Sequence, residues 1–342
     1  MKKLVSILIF MSIMGPALAA PQVLMIGTIT PGHSDWAKGM QAAAGEIKEK
    51  TNGRVQIKYR FSQKSHAATL KNMRIRRFQG GVFTPSALQE QYPDINLYSL
   101  PLIFDTEEEA SFIRSRMDQK LIDGLSDSGY VSFGFAATGF AMFMSIEPVR
   151  NVDDVKGKKV WIPEGDPISF SAMRALGVTP SPESLGEVLT GLQLNHFHSI
   201  AASPIGALVM QWHTKVRYLT EMPLIYTIGF MVVDKGAFSA LEPADQAIVN
   251  EVMQRVYAEF DVSNLQDDKE AKQALLNSGI EQVFPDKDEF QHIRTVLEEN
   301  NRKLAAEGTI SEELFNEMMR HIDEFRREHT GAVQQAKIIG AE

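Results

Sequence analysis

Few residues in this chain have types and spacing that could do chemistry, and the clearest are two histidines. His196 and His198 lie two apart, which would place both side chains on one face of a strand. A zinc site needs a third ligand and supporting hydrogen bonds. The nearest further histidine is His213, and no acidic partner stands at a recognisable offset. The pair therefore predicts a polar strand or turn, with no metal site.

Other catalytic patterns are missing from the sequence. Gly80-Gly81 follows Arg76-Arg77 and could suggest a phosphate cradle, but two glycines after a helix more often mark its C-terminal cap. The chain has no G-x-S-x-G, P-loop, H-E-x-x-H or G-x-G-x-x-G pattern. It has no cysteine, which excludes thiol catalysis and disulfides. We therefore expect no enzyme activity and no cofactor.

Length and charge narrow the class of protein further. A chain of 342 residues is long enough for about two domains. A net charge of -8 gives no basic surface for nucleic acid, so no such partner is expected. The excess of acidic over basic residues is typical of a soluble protein.

The N-terminus has the pattern of a secretory signal peptide. Met1-Lys2-Lys3 precedes an apolar run from Leu4 to Met14 and the small residues Ala17-Leu18-Ala19-Ala20. The run is much shorter than the roughly 20 residues that span a bilayer. We predict a signal peptide over residues 1–19, cleavage after Ala19 and release into the periplasm.

The apolar pattern of the mature chain indicates alternating strands and helices. Residues 23–28 are typical of a buried strand and residues 54–59 of a second strand. Between them a helix is predicted that begins after Ser34-Asp35 and closes with Thr51-Asn52-Gly53, with apolar residues at helical spacing: Trp36, Met40, Ala43, Ala44 and Ile47. Further strands are predicted at 131–135, 159–162 and 230–233, whereas the chain after Pro243 is mainly helical. This pattern favours parallel sheets flanked by helices, in lobes joined by crossing strands.

Several segments, in order and spacing, resemble the extracytoplasmic receptors of tripartite ATP-independent periplasmic (TRAP) transporters, the DctP family. The similar segments are Lys50-Thr51-Asn52-Gly53-Arg54-Val55, Leu100-Pro101-Leu102-Ile103-Phe104, Val152-Asp153-Asp154-Val155-Lys156-Gly157-Lys158-Lys159-Val160-Trp161-Ile162-Pro163, Ala175-Leu176-Gly177-Val178-Thr179-Pro180 and Glu187-Val188-Leu189-Thr190-Gly191-Leu192-Gln193.

The resemblance implies an α/β, two-lobed periplasmic-binding-protein fold with a hinge, an interlobe cleft and long C-terminal helices. We expect lobe 1 to comprise residues 20–138 and 226–266, lobe 2 residues 139–225 and 267–330, and a C-terminal tail residues 331–342. It also implies a receptor that closes on a small ligand and docks on TRAP membrane subunits, with an ion gradient driving transport. Ligand identity, coupling ion and oligomeric state are left open.

The sequence departs from the family where the ligand is usually held. An arginine that pairs with the ligand's carboxylate is replaced here by Trp161, and a second arginine of some members falls on Ala141. His198 stands for an acidic residue, and Ala201, Ala202 and Ser203 replace polar ones. We therefore expect a larger, more apolar ligand, such as a lipid-like, sterol-like or aromatic molecule.

The predicted ligand-binding residues combine these positions with side chains expected at the cleft. They are Trp161, Phe140, Ala141, Phe143, His198, Ser203, Trp36 and His66. Two alternatives stay open. One of the arginines in the run Lys71, Arg74, Arg76 and Arg77 could replace the missing one, so that an acid is bound. The chain could also be a periplasmic scaffold or carrier of a lipid-like ligand that works with a helical-repeat accessory protein.

Overall fold

The computed structural model describes residues 20–339, with side chains described for residues 20–329. The predicted signal peptide lies outside the described residues. Ten strands are described: β1 (Gln22–Gly27), β2 (Val55–Arg60), β3 (Gly80–Phe83), β4 (Tyr130–Ser132), β5 (Ala136–Ser145), β6 (Lys159–Pro163), β7 (Thr179–Glu183), β8 (Ser199–Ala202), β9 (Tyr218–Asp234) and β10 (Glu281–Val283).

Ten α-helices are described in the same part of the chain. They are α1 (Asp35–Lys50), α2 (His66–Arg74), α3 (Glu107–Asp127), α4 (Pro167–Ala175), α5 (Val188–Gln193), α6 (Pro204–Val209), α7 (Lys235–Ser239), α8 (Pro243–Asn277), α9 (Lys287–Ala306) and α10 (Glu312–Ile339). Short 3₁₀ helices occupy Pro85–Leu88, Pro93–Ser99, Val152–Val155, Leu185–Glu187 and Trp212–Thr214. Helix α10 runs into the segment predicted as a C-terminal tail.

Two parallel half-sheets are joined by two long strands that cross between the lobes. The main strand order is β2-β1-β3-β9-β5-β8-β6-β7, with β4 and β10 also pairing with β9. Strands β1, β2 and β3 are mutually parallel in lobe 1, and β6 is parallel to β7 and β8 in lobe 2. The 17-residue β9 pairs with β3 near its end and with β10 near its start, whereas β5 pairs with β8 at its far end. The predicted two-lobed α/β fold is confirmed.

Local sequence signals explain the first βαβ unit. Ser34 caps α1 by accepting a hydrogen bond from the Ala37 amide, and buried Met40, Ala43 and Ile47 follow at helical spacing. The helix ends where Gly53 takes a positive φ of 79°, a conformation that glycine adopts without a steric cost. The predicted strand, helix and second strand are therefore confirmed.

The interpretation of Gly80 and Gly81 as a helix cap is wrong. Helix α2 ends at Arg74, and both glycines lie inside the buried strand β3. A Cβ atom on Gly80 would collide with the Val232 carbonyl oxygen of β9 and approach the Ile26 side chain of β1. Glycine at this position therefore lets three strands pack closely, a tertiary requirement that the local pattern does not reveal.

Separate cores support the two lobes. The core of lobe 1 includes Ile26, Met40 and Phe230, and lobe 2 has its own clusters around Phe197 and Ile162. The last helix, α10, packs on α3 and adds Phe315, Met318 and Ile322 to the core of lobe 1. This packing differs from the expected boundary, which placed all of residues 267–330 in lobe 2. The apolar side chains of α10 recur at helical spacing, and this apolar face packs on lobe 1.

The crossing strands are irregular midway between the lobes. The β5–β9 pairing shifts register between Ala137 and Phe140, and twice more between Ala141 and Phe143. Gly139, at the first shift, has a φ of 82° and lies against the Asp268 carboxylate of α8, where a Cβ would collide. Register shifts of this kind bend strands, so we expect the hinge between the lobes to lie in this segment.

Asp268 of α8, which lies against Gly139, should make the stability of the fold depend on pH. It is buried, its Oδ1 accepts a hydrogen bond from the Ile205 amide of α6 at 2.9 Å, and burial raises its pKa to about 7. Nearby Glu107 also raises this pKa, whereas the Ile205 hydrogen bond and Lys272 lower it. Because the folded state holds this proton more tightly than the unfolded chain, protonation of Asp268 stabilises the fold. This contribution to the free energy of unfolding is fully present below the pKa of the unfolded chain, near about 4. It is lost as the pH rises through about 7.

The variant Asp268→Asn should remove this pH dependence, since an amide resembles the protonated carboxyl group. We expect its stability to be close to wild type near about pH 4, and greater than wild type by about 2–4 kcal/mol near about pH 9. Urea unfolding at several pH values measures the difference. Asp267→Asn, on the exposed neighbouring residue, is the control and should change the profile much less. A constant difference between Asp268→Asn and wild type across this range would contradict the prediction.

Candidate functional site

The candidate site is a cleft between the lobes, outside the carboxyl ends of the parallel strands. Thr30 follows β1, Thr84 follows β3, Asp166 follows β6 and Ser203 follows β8. All four residues line cavities in this cleft. Open α/β sheets generally bind ligands at this edge, because the loops from several strands converge there.

Two adjoining cavities of about 220 and 230 Å³ occupy the cleft. They share the lining residues Thr84, Thr138, Ser203, Gly206, Met210 and Ile228. The first, defined here as the tryptophan cavity, is lined mainly by apolar side chains, among them Ala141, Ile162, Met173, Leu185, Trp161 and Trp212. The second extends to Trp36 and His66 of lobe 1. A cavity of about 150 Å³ can hold a benzene ring, so either cavity has room for a ring-sized ligand group.

The lobes meet on one side of the cleft. Lys64 follows β2 and Gly186 follows β7, although these two strands stand at opposite ends of the main strand order. A Cβ on Gly186 would nevertheless fall well inside contact distance of the Lys64 carbonyl oxygen. The two lobes therefore fold toward each other and close over the cavities.

Trp161 lies in the wall of the tryptophan cavity. It is buried on β6, and its indole Nε1 donates a hydrogen bond to the Glu183 carbonyl oxygen at 3.0 Å. Its ring centroid is 5.6 Å from that of Trp212, with the ring planes tilted by 58°. Ala141 lines the same cavity. The structure thus brings together the two positions for which the family resemblance implies an arginine.

Trp36, His66 and Ser203 line the second cavity. Trp36 stacks on Phe260 at 4.9 Å and donates a hydrogen bond from Nε1 to Asn264 Oδ1 at 2.8 Å. His66 Nε2 lies 3.2 Å from Thr84 Oγ1, and its Nδ1 is buried without a partner among the described residues. Burial lowers the pKa of His66 to about 4, so its imidazole is neutral at neutral pH.

The three remaining predicted ligand-binding residues do not line these cavities. Phe140 packs edge-to-face on Tyr226 at 5.3 Å, and Phe143 lines a separate apolar cavity of about 50 Å³. The register shifts in β5 break the alternation that would have placed Phe143 beside Ala141. His198 precedes β8, whereas Ser203 follows it, so His198 lies at the opposite end of a strand about 13 Å long.

Sequence reasoning missed the polar residues Asp166 and Ser169 of the tryptophan cavity. Asp166 caps α4, with Pro167 in the first helical position. Aspartate followed by proline directly after a strand is a strong helix-start signal, and the carboxyl end of a parallel strand is a typical ligand edge. Those two signals together could have identified Asp166.

The charge of the cleft is unusual for a site that would hold an acid. Among the described residues lining its two cavities there is no lysine or arginine, whereas Asp166, Asp35 and Asp267 are present. Of the basic run named above, Arg74 lines an adjoining cavity that it shares with Glu90 and Glu164. Asp35 pairs with Lys38 at 2.7 Å, so Asp166 and Asp267 are the cleft carboxylates that have no lysine or arginine partner among the described residues.

Among the described residues of the chain, no group of three or more His, Asp or Glu residues is placed to hold a metal ion. No described helix is both long enough and apolar enough to cross a bilayer.

Comparison with known proteins shows the family. The family model for DctP, the bacterial extracellular solute-binding protein family 7, matches residues 26–307. An uncharacterized protein of Haemophilus influenzae is 27% identical over 217 residues, which are 62% of this chain and 64% of that protein. The match thus spans slightly less than two thirds of that relative.

Solved structures share the fold at low identity. A TRAP periplasmic solute-binding protein from Ralstonia eutropha, with bound (S)-2-acetolactate, has a TM-score of 0.81 and 17% identity; the match covers 89% of this chain and 100% of that one. A protein of the same kind from Desulfovibrio salexigens, with bound orotic acid, has a TM-score of 0.80 and 17% identity, with 89% and 99% covered. This family consists of periplasmic receptors for small molecules, and it is not a class of enzymes. The chain belongs to the DctP family of TRAP solute-binding proteins.

Proposed function

We propose that this protein is the non-catalytic solute receptor of a TRAP secondary transporter, and that its ligand is more apolar than an organic acid and is not held by a carboxylate. The ligand would stabilise the closed form of the two lobes, which would then dock on the membrane subunits. The observation that carries the proposal is the lining of the cleft, where Trp161 lies at the position for which the family resemblance implies an arginine, and where no described lysine or arginine is present.

Desolvation disfavours a carboxylate ligand in this cleft. A buried carboxylate without a cation costs several kcal/mol or more, and the Asp166 carboxylate in the same cavity would add repulsion. The apolar wall of tryptophan, methionine, leucine and isoleucine side chains instead gains free energy by burying apolar ligand surface. The acids bound by the similar proteins from Ralstonia and Desulfovibrio are therefore not expected to bind here.

The size of the two cavities favours a ligand receptor over a scaffold protein that has lost its ligand site. A scaffold of that kind needs no internal space, whereas the two adjoining cavities here measure about 220 and 230 Å³. Ligand pockets are typically concave and mostly apolar, with a few polar groups that fix orientation.

Isothermal titration calorimetry on protein freed of co-purified ligand tests the proposal. We expect measurable binding of an apolar probe, 2-phenylethanol, and no binding of orotate or acetolactate. Tight binding of either acid would overturn the proposal. If an acid does bind, the variant Arg74→Gln tests which residue holds it. Loss of acid binding in that variant would identify Arg74 as the replacement for the family's arginine.

A further inference from the structure

We propose that the ligand carries a protonated amine, which the Asp166 carboxylate binds while the indole rings of Trp161 and Trp212 pack beside it. The inference rests on the proposed function, because it assumes that a ligand without a carboxylate occupies the tryptophan cavity. It adds the charge of the ligand's polar group and the residue that recognises it.

The hydrogen bonds of Asp166 leave one acceptor position free. Its Oδ1 accepts from the Ile168 amide at 3.0 Å and from the Ser169 amide at 3.1 Å. Its Oδ2 accepts from the Ser169 hydroxyl at 2.6 Å. An ionised carboxylate has about four acceptor positions, two on each oxygen. The fourth position, on Oδ2, can therefore accept a donor from a ligand in the cavity.

Capping of α4 does not require the negative charge. Asparagine and serine cap helices about as well as aspartate, and neither brings a buried charge with it. Burial raises the pKa of Asp166, which means that the cleft disfavours its charged form. No described lysine or arginine lines the cavity to offset that charge. A cationic group on the ligand would supply the missing counter-charge.

The surroundings of Asp166 also suit a cation. Trp161 and Trp212 line the same cavity as a tilted pair, and a tryptophan face attracts ammonium groups through its π electrons. Asp267 lines the second cavity without a lysine or arginine partner among the described residues, whereas Asp35 in the same cavity pairs with Lys38 at 2.7 Å. A cleft lined by charges of one sign raises the local concentration of ligands of the opposite sign.

Three probes of matched shape separate the ligand classes: 2-phenylethylamine, 2-phenylethanol and phenylacetate. With ligand-freed wild-type protein at neutral pH, calorimetry should show the amine binding at least about tenfold more tightly than the alcohol, since a charge-assisted hydrogen bond is stronger than a neutral one. Phenylacetate should bind most weakly. In Asp166→Asn the amine should lose its advantage, while binding of the alcohol should stay nearly unchanged.

Controls keep the test independent of folding. Asp166→Asn and Asp166→Ser both retain a capping oxygen, so both should fold and behave alike. Asp234→Asn alters another helix-capping aspartate, at α7, that lies outside the tryptophan cavity, and should keep the preference for the amine. Equal binding of amine and alcohol, failure of the amine to bind, or an unchanged preference in Asp166→Asn would overturn the inference and leave the proposed function standing. Tightest binding of phenylacetate would overturn both.

Discussion

Replacing Arg114 by methionine should lower the free energy of unfolding by about 3–5 kcal/mol. Arg114 is buried on α3 and donates hydrogen bonds to Asp261 at 2.6 Å, to Asp118 at 3.0 Å and to the Phe135 carbonyl oxygen at 3.0 Å. Asp261 also accepts a hydrogen bond from the Ala137 amide at the start of β5. Loss of the guanidinium would leave the two carboxylates without their neutralising cation and the Phe135 carbonyl group without this donor.

The same helix offers a matched control for this prediction. Arg116 is more exposed, pairs with Glu324 at 3.4 Å and covers the Phe112 ring. Because exposed ion pairs contribute little, Arg116→Met should lower stability by about 1 kcal/mol or less. Urea unfolding followed by tryptophan fluorescence and by circular dichroism measures both variants. Equal losses in the two variants would contradict the assigned role of Arg114.

The variant Gly186→Ala should weaken ligand binding about 5- to 150-fold. The added methyl group would lie closer than 3.0 Å to the Lys64 carbonyl oxygen across the cleft. Gly186 has no positive φ, so its backbone conformation suits alanine and the open form should be unaffected. Since only closure creates the collision, the closed fraction falls and the apparent affinity falls with it.

Closure can be measured without knowing the ligand. Small-angle X-ray scattering on protein as purified should give a larger radius of gyration for Gly186→Ala than for wild type. Native mass spectrometry should show less co-purified compound in the variant. Gly45→Ala is the control, because a Cβ at that site on α1 meets open space. A Gly186→Ala protein with wild-type scattering and occupancy would count against closure at this contact.

The sequence was most informative where local rules decide the structure. The cap at Ser34, the periodic apolar residues of α1 and the glycine stop at Gly53 predicted the first βαβ unit correctly. Tertiary contacts decided the rest. Gly80 allows β3 to pack closely against its neighbouring strands, and the position of α10 depends on its packing against α3. A local sequence pattern encodes neither of these contacts.

The candidate site shows the same division. Family resemblance pointed to Trp161 and Ala141, and both line the tryptophan cavity. Phe143 was also expected at the cleft, but the register shifts in β5 interrupt the strand alternation, and it lines a separate cavity. The family resemblance does not point to Asp166, because this residue matches none of the expected anchors and lies at the helix start after β6.

The most direct test of the account is the identity of the compound that co-purifies with the protein. The protein would be expressed in cells supplied with the natural substrate of its transporter, and then purified and denatured. The released compound would be extracted and identified by mass spectrometry. We expect a compound with an apolar body and no carboxylate, because no described lysine or arginine lines the two cavities. Recovery of a carboxylic acid at one molecule per protein chain would contradict it.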